Sequence, residues 1–97
     1  MEVIGWDIVE AFLRDHPKAK KSLEAWRQVV EANAFRHLVD LRRAVGSADY
    51  VKPHTVFDIS KNKYRLIAQV SYPLGAVRVQ SVLTHEQYDT GKWRRGP

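Results

Sequence analysis

The sequence contains no cysteine. A disulfide framework and a thiolate zinc site are therefore excluded, and the composition suits a reducing cytosol. No apolar run approaches the roughly 18 residues that a membrane span needs, so no membrane partner is expected. The opening stretch, MEVIGWDIVEAFL, has no basic region ahead of its apolar residues and carries Glu2, Asp7 and Glu10, which makes it a poor secretion signal. A cytoplasmic location follows as the expectation. There is no internal repeat, linker or low-complexity segment. The 97 residues suit a single domain over 1–97 with one modest core.

Negative charge is scarce in the second half. Residues 1–50 hold eight basic and eight acidic side chains, which cancel. Residues 51–97 hold eight basic side chains and only Asp58, Glu86 and Asp89 against them, so this half carries the whole net charge of +5. A basic half beside a neutral one suits a polyanion, most often nucleic acid. A solvated basic surface is the alternative reading.

The hydrophobic period changes at the same boundary. Ile4, Ile8, Val9, Phe12 and Leu13 form one helical stripe. Pro17 breaks it and suits the first turn of a second helix, whose Ala19, Leu23, Trp26 and Val30 share a face, with a stop at Asn33. A third, shorter helix is expected through Phe35, Leu38, Val39 and Arg42, ending at Gly46. Beyond it the alternation is two-fold: HTVFDI, then YRLIAQVSY, then AVRVQSVL, joined by the polar turn SKNK and by PLG. In the last strand Val77, Val79 and Leu83 fall on one side, with Arg78 and Gln80 on the other. Met1–Ile4 is a candidate edge strand. The expected fold is α+β: N-terminal helices packed on one face of a small antiparallel meander, with a short C-terminal helical turn.

That turn is the stretch VLTHEQYD. Thr84 and Gln87 have the spacing of a capping box, so a strand ends at Leu83 and helical turns begin at His85. His85, Tyr88 and Asp89 then share a face, and a helix start favours an anion. Cleaving RNA without a metal needs a base near the 2′-OH, an acid for the departing 5′-oxygen and a cation for the developing charge. His85 suits either proton-transfer task, Tyr88 can stack on a base or give a proton, and Asp89 can orient the imidazole. Arg65 and Lys63 can hold phosphate. Each also has a structural reading: His85 as a helix-start histidine, Tyr88 as a packing residue, Arg65 as a strand cation paired with Asp58, Glu86 as a complement to the helix dipole. Metal ligation by His85 and Asp89 alone is not expected. These residues point to a nucleic-acid site but not to a reaction.

The segments YVKPHTVFDISKNKYRLIAQVSY and VRVQSVLTHEQYDTGKW resemble the HigB-type toxins of bacterial toxin–antitoxin pairs, in the RelE-like superfamily. The family pattern is met at Phe57-Asp58-Ile59, at Asn62 through Ala68, at Val82 through Asp89 and at Trp93. HPKAKKSLEAWRQVVEANAF is similar to the family's first half. The resemblance implies a RelE/ParE-like fold and a bacterial, cytoplasmic mRNA interferase cutting mRNA in the ribosomal A site. It further implies a HigA-like helix-turn-helix antitoxin, with DNA bound only through that antitoxin. No cofactor and no metal are expected. The matched positions are Asn62, Lys63, Tyr64, Arg65, Thr84, His85, Tyr88 and Asp89. The proposed catalytic set is His85, Tyr88, Arg65 and Lys63, supported by Asp89 and Thr84. Asn62, Lys61, Arg78, Lys92, Arg94 and Arg95 are the RNA- and ribosome-binding candidates. Two departures stand out: Ser60-Lys61 where the family's turn usually has glycines, and Pro53-His54 before the strand. His54 is either a second acid–base group or a loop histidine. A ParE-like gyrase inhibitor, or a catalytically inactive relative that only binds RNA or antitoxin, are the alternatives on the same fold.

Overall fold

In the computed structural model, residues 1–95 are described, without the side chain of Arg95. The helical half contains α1 (Trp6–Asp15), a 3-10 turn at Pro17–Ala19, α2 (Lys20–Glu31) and α3 (Leu38–Ala44). The strands are β1 (Glu2–Ile4), β2 (Asp49–Val51), β3 (His54–Ile59), β4 (Tyr64–Ser71) and β5 (Ala76–Thr84), in the order β1-β5-β4-β3-β2. A short α4 (His85–Asp89) and a 3-10 turn (Lys92–Arg95) follow. The three expected strands form the antiparallel centre, and the candidate edge strand is present, pairing with β5 in parallel. The sheet is therefore mixed.

One face carries the core. Val9, Leu23, Val30 and Leu41 from the helices and Phe57, Leu66, Ala68 and Val77 from the sheet are fully buried. Trp26 meets Phe57 edge-on at 5.2 Å, a favoured aromatic geometry. Two helical expectations shift. Ile4 belongs to β1 and not to the first helix. The third helix starts at Leu38, because His37 Nδ1 accepts from the Asp40 amide at 3.4 Å and caps it there. Leu41 is consequently the buried residue of α3, while Val39 is 56% exposed.

Gly5 joins β1 to α1 with φ +88°, and a Cβ there would lie 3.0 Å from the Val79 carbonyl oxygen. Both the conformation and the close approach exclude a side chain. Gly5→Ala is expected to cost about 2 kcal/mol, measured from urea midpoints.

The β4–β5 ladder carries a bulge. Ile67 faces Ser81 and Ala68 faces Val79, so Gln80 is an extra residue on β5. One inserted residue reverses the alternation. Val77 and Val79 point at the helices before it and Val82 after it. Leu83, expected beside Val77 and Val79, instead lies opposite Arg65 on the other face.

That other face determines the site. Its rows, read across the strands, are Asp58–Arg65–Leu83, Val56–Ile67–Ser81 and Gln69–Arg78–Ile4. Val56 and Ile67 are 3% and 1% exposed, although no N-terminal helix covers them. The C-terminal segment does. The Tyr88 ring lies against the Arg65 guanidinium at 5.1 Å, over the first row. The Trp93 indole meets His54, beside the third row, at 5.7 Å. Together they span the middle row and keep it dry.

Candidate active site

The candidate site forms where the β3–β4 turn meets the end of β5. Tyr64 pairs with Thr84 and Arg65 with Leu83, and the His85 amide donates to the Lys63 carbonyl at 3.0 Å. The two motifs, some twenty residues apart in sequence, are thereby adjacent.

Thr84 closes the capping box: its Oγ1 accepts from the Gln87 amide at 3.2 Å, and its own amide donates to Gln87 Oε1 at 3.0 Å. These bonds and the one to Lys63 occupy the amides of His85 and Gln87. The helix start is therefore largely spent on structure and does not supply the anion cradle expected of it. What it does supply is direction. His85 is exposed, and its Nε2 stands 3.1 Å from Asp89 Oδ2, one helical turn on.

Tyr88 is half-buried. The Trp93 ring stacks on it at 5.0 Å and 15°, and Trp93 Nε1 donates to the Tyr88 carbonyl at 3.0 Å. With Arg65 also against the ring, Tyr88 has little open face left for a nucleobase. Arg65 is only 8% exposed. Its Nε pairs with Asp58 Oδ1 at 3.0 Å, and its Nη1 donates to the Asn62 carbonyl at 2.9 Å. Of the two readings from the sequence, phosphate ligand and partner of Asp58, burial and these bonds favour the second.

Lys61, Asn62 and Lys63 are exposed on the turn. Ser60, Lys61 and Asn62 have φ of +53°, +52° and +80°, a left-handed run that costs non-glycine residues about 1 kcal/mol each. It is held by Ser60 Oγ against Ser22 Oγ at 2.7 Å and by the Lys63 amide donating to the Ser60 carbonyl at 3.2 Å. The positions where the family pattern has glycine are therefore ones where glycine would relax the chain. Lys61→Gly is expected to stabilise the fold by about 0.5 kcal/mol, the relief of strain less the added entropy of the unfolded chain, read from the denaturant midpoint.

Lys92 and Arg94 are exposed, and the Arg94 guanidinium lies 5.2 Å from the Trp93 ring centre. The side chain of Arg95 lies outside the described residues. Arg78 is not part of the cluster: it sits six residues back along β5 from Thr84, roughly 20 Å away. His54 is not a solvated loop histidine; it opens β3 and packs on Trp93. Sequence reasoning undervalued Trp93, because a tryptophan just past a helix gives no sign of what it lands on. Among the described residues no group of three His, Asp or Glu side chains is placed to hold a metal ion. No described helix is long and apolar enough to cross a membrane. Tyr72, whose phenol burial pushes above its usual range, lies on the helix side of the sheet and away from this cluster.

The arrangement offers an imidazole oriented by a carboxylate, a rim of exposed lysines beside it, and an aromatic wall. The chain as a whole has known relatives. At 27% identity over 92 residues, covering 92% of this chain and 88% of each relative, it is similar to the mRNA interferase toxin HigB of Escherichia coli K12 and to proteins named mRNA interferase HigB from Escherichia coli O157:H7 and Shigella flexneri. Residues 19–91 match the HigB toxin family, the RelE-like toxic component of a toxin–antitoxin system. With three-quarters of its length matched and both motifs meeting at one site, the chain belongs to the HigB toxin family.

Proposed function

We propose that this protein is an mRNA interferase that cuts mRNA in the ribosomal A site by attack of the ribose 2′-OH on the adjacent phosphate. One observation carries this: the capped start of α4 sets His85, with Asp89 at 3.1 Å, beside the cationic turn through the bond from its amide to Lys63. Asp89 holds the Nε2 side of the ring, and Nδ1 takes the 2′-OH proton. The 2′-oxygen bonds to phosphorus, the bond to the 5′-oxygen breaks, and that oxygen leaves with a proton. The products are a 2′,3′-cyclic phosphate and a 5′-hydroxyl. Tyr88, whose hydroxyl has no hydrogen-bond partner among the described residues, is the proton donor. Lys63 and Lys61 stabilise the charge on the phosphate. Arg65 acts through Tyr88 and the turn and is a positioning residue.

Lys92, Arg94 and Arg95 serve as contacts to ribosomal RNA. A helix-turn-helix antitoxin would cover the basic half, and the purified pair is expected to lose ribosome affinity. The names of the relatives favour RNA over gyrase as target.

The test is a cell-free translation with a defined mRNA, cuts being mapped by primer extension with and without ribosomes. Codon-phased cuts that need the ribosome are expected. A single 2′-deoxynucleotide at a mapped site should abolish the cut there. Cutting that survives the deoxy substitution would rule out 2′-OH attack.

A further inference from the structure

The open face of the sheet continues past the candidate site. Tyr88 stacks on Trp93, Trp93 meets His54, and His54 sits on β3 beside Gln69, which pairs across the ladder with Arg78. Beyond this row is a groove of about 410 Å³ lined by Ile4, Pro53, Gln69, Leu74, Ala76 and Arg78. That size suits a small ligand or part of a larger one.

Three features of the groove indicate its occupant. Arg78 is exposed and, among the described residues, makes no ion pair, so its charge is available. Leu74 is 83% exposed, an apolar surface at the mouth with nothing over it. Gln80, the bulge residue, donates through Nε2 to Gln69 Oε1 at 3.4 Å, leaving the Gln69 amide N–H groups to point elsewhere. A free cation, an apolar platform and an oriented amide are what a nucleotide needs for its phosphate, its base face and its base edge. The groove also belongs to the half that carries the net charge and is continuous with the aromatic wall of the candidate site.

We propose that this groove is a second RNA subsite, taking a nucleotide a few steps along the strand from the scissile bond. Arg78 holds its phosphate, Pro53 and Leu74 face its base, and the Gln69 amide reads the base edge. The inference rests on the RNA-cleaving reading above and gives that reading a second point of sequence preference.

The test uses the whole protein on programmed ribosomes. RNAs carry a 2′-deoxynucleotide at a mapped cut site and one 4-thiouridine at successive positions along the strand. They are irradiated, and the adducts are located by peptide mapping. Thiouridine next to the cut site should label residues 85–93, and thiouridine at one fixed offset should label the stretch 72–78. Arg78→Gln with Gln69→Ala, both at exposed positions, should remove the second adduct and leave the first. Arg78→Gln alone should lower the slope of log binding against log salt by about one. Adducts confined to 85–93 at every offset, with the all-ribose RNA still cut, would overturn the subsite and leave the interferase reading standing. No adducts, together with no cutting of the all-ribose RNA, would overturn both. If the double variant instead weakened antitoxin binding and left the adducts unchanged, the groove would be a protein-docking surface and the proposal wrong.

Discussion

Replacing His85 by alanine lowers the single-turnover rate of RNA cleavage by roughly 10²- to 10⁴-fold, the range for loss of a positioned acid–base group. The fold should be almost untouched. His85 is exposed, and its only side-chain partner among the described residues is the equally exposed Asp89, so the stability change stays within about 0.5 kcal/mol. Asp89→Asn should fall between the variant and wild type. It keeps the helix face and the packing but loses the carboxylate that orients Nε2. For both, the loss belongs in the chemical step rather than in RNA affinity. Primer extension on a translated mRNA, sampled over time, provides the rates. A His85→Ala protein that retains more than about a tenth of wild-type cleavage would remove His85 from the mechanism.

Arg65→Ala is expected to cost about 3 kcal/mol, because it removes a buried guanidinium together with its bonds to Asp58 and the Asn62 carbonyl, and takes the backing from the Tyr88 ring. For a domain of this length that is a fall of order 15 °C in Tm. Cleavage falls as well, measured below the melt. Arg65→Lys should recover little of either. A lysine keeps the charge but cannot pair with Asp58, donate to the Asn62 carbonyl and lie flat on Tyr88 at once. Asp58→Ala costs less than Arg65→Ala, since its side chain is 40% exposed and Arg65 keeps its other partners. The readout that distinguishes positioning from phosphate binding is stability. Lost cleavage with an unchanged Tm would mean that Arg65 touches the RNA directly.

Much of this fold is legible in the sequence because its signals are local. The stripe of Leu23, Trp26 and Val30, the alternation in YRLIAQVS and the Thr84–Gln87 box each involve residues within a few positions of one another. What escapes is set by partners distant in sequence. β2 is three residues long, too short to show a period, and exists because β3 templates it. The Gln80 bulge reverses Leu83 against Val82 without any residue that announces it. At the site, His85 and Asp89 could be placed on one face from their spacing. The burial of Arg65 could not, because it depends on where the start of α4 lays the Tyr88 ring. The alternative pairing of Arg65 with Asp58 was readable as adjacent-strand chemistry, but nothing in the sequence decided between it and a phosphate.

The parallel pairing of β1 with β5 bears on the order of events during synthesis. Residues 2–4 meet residues 76–78, so the first strand made has no partner until nearly the whole sheet has been translated. α1 and α2 meanwhile present Val9, Leu23, Trp26 and Val30 to solvent, since the strands that cover them come later. Such late, long-range closure slows folding and prolongs exposure of apolar surface. The candidate site is assembled later still, because it needs residues 60–65 and 84–93 together. A nascent chain arrested before residue 84 should therefore be protease-sensitive and unable to cut RNA. On this timing the ribosome that makes the toxin faces an incomplete molecule until the last residues of the site have been added.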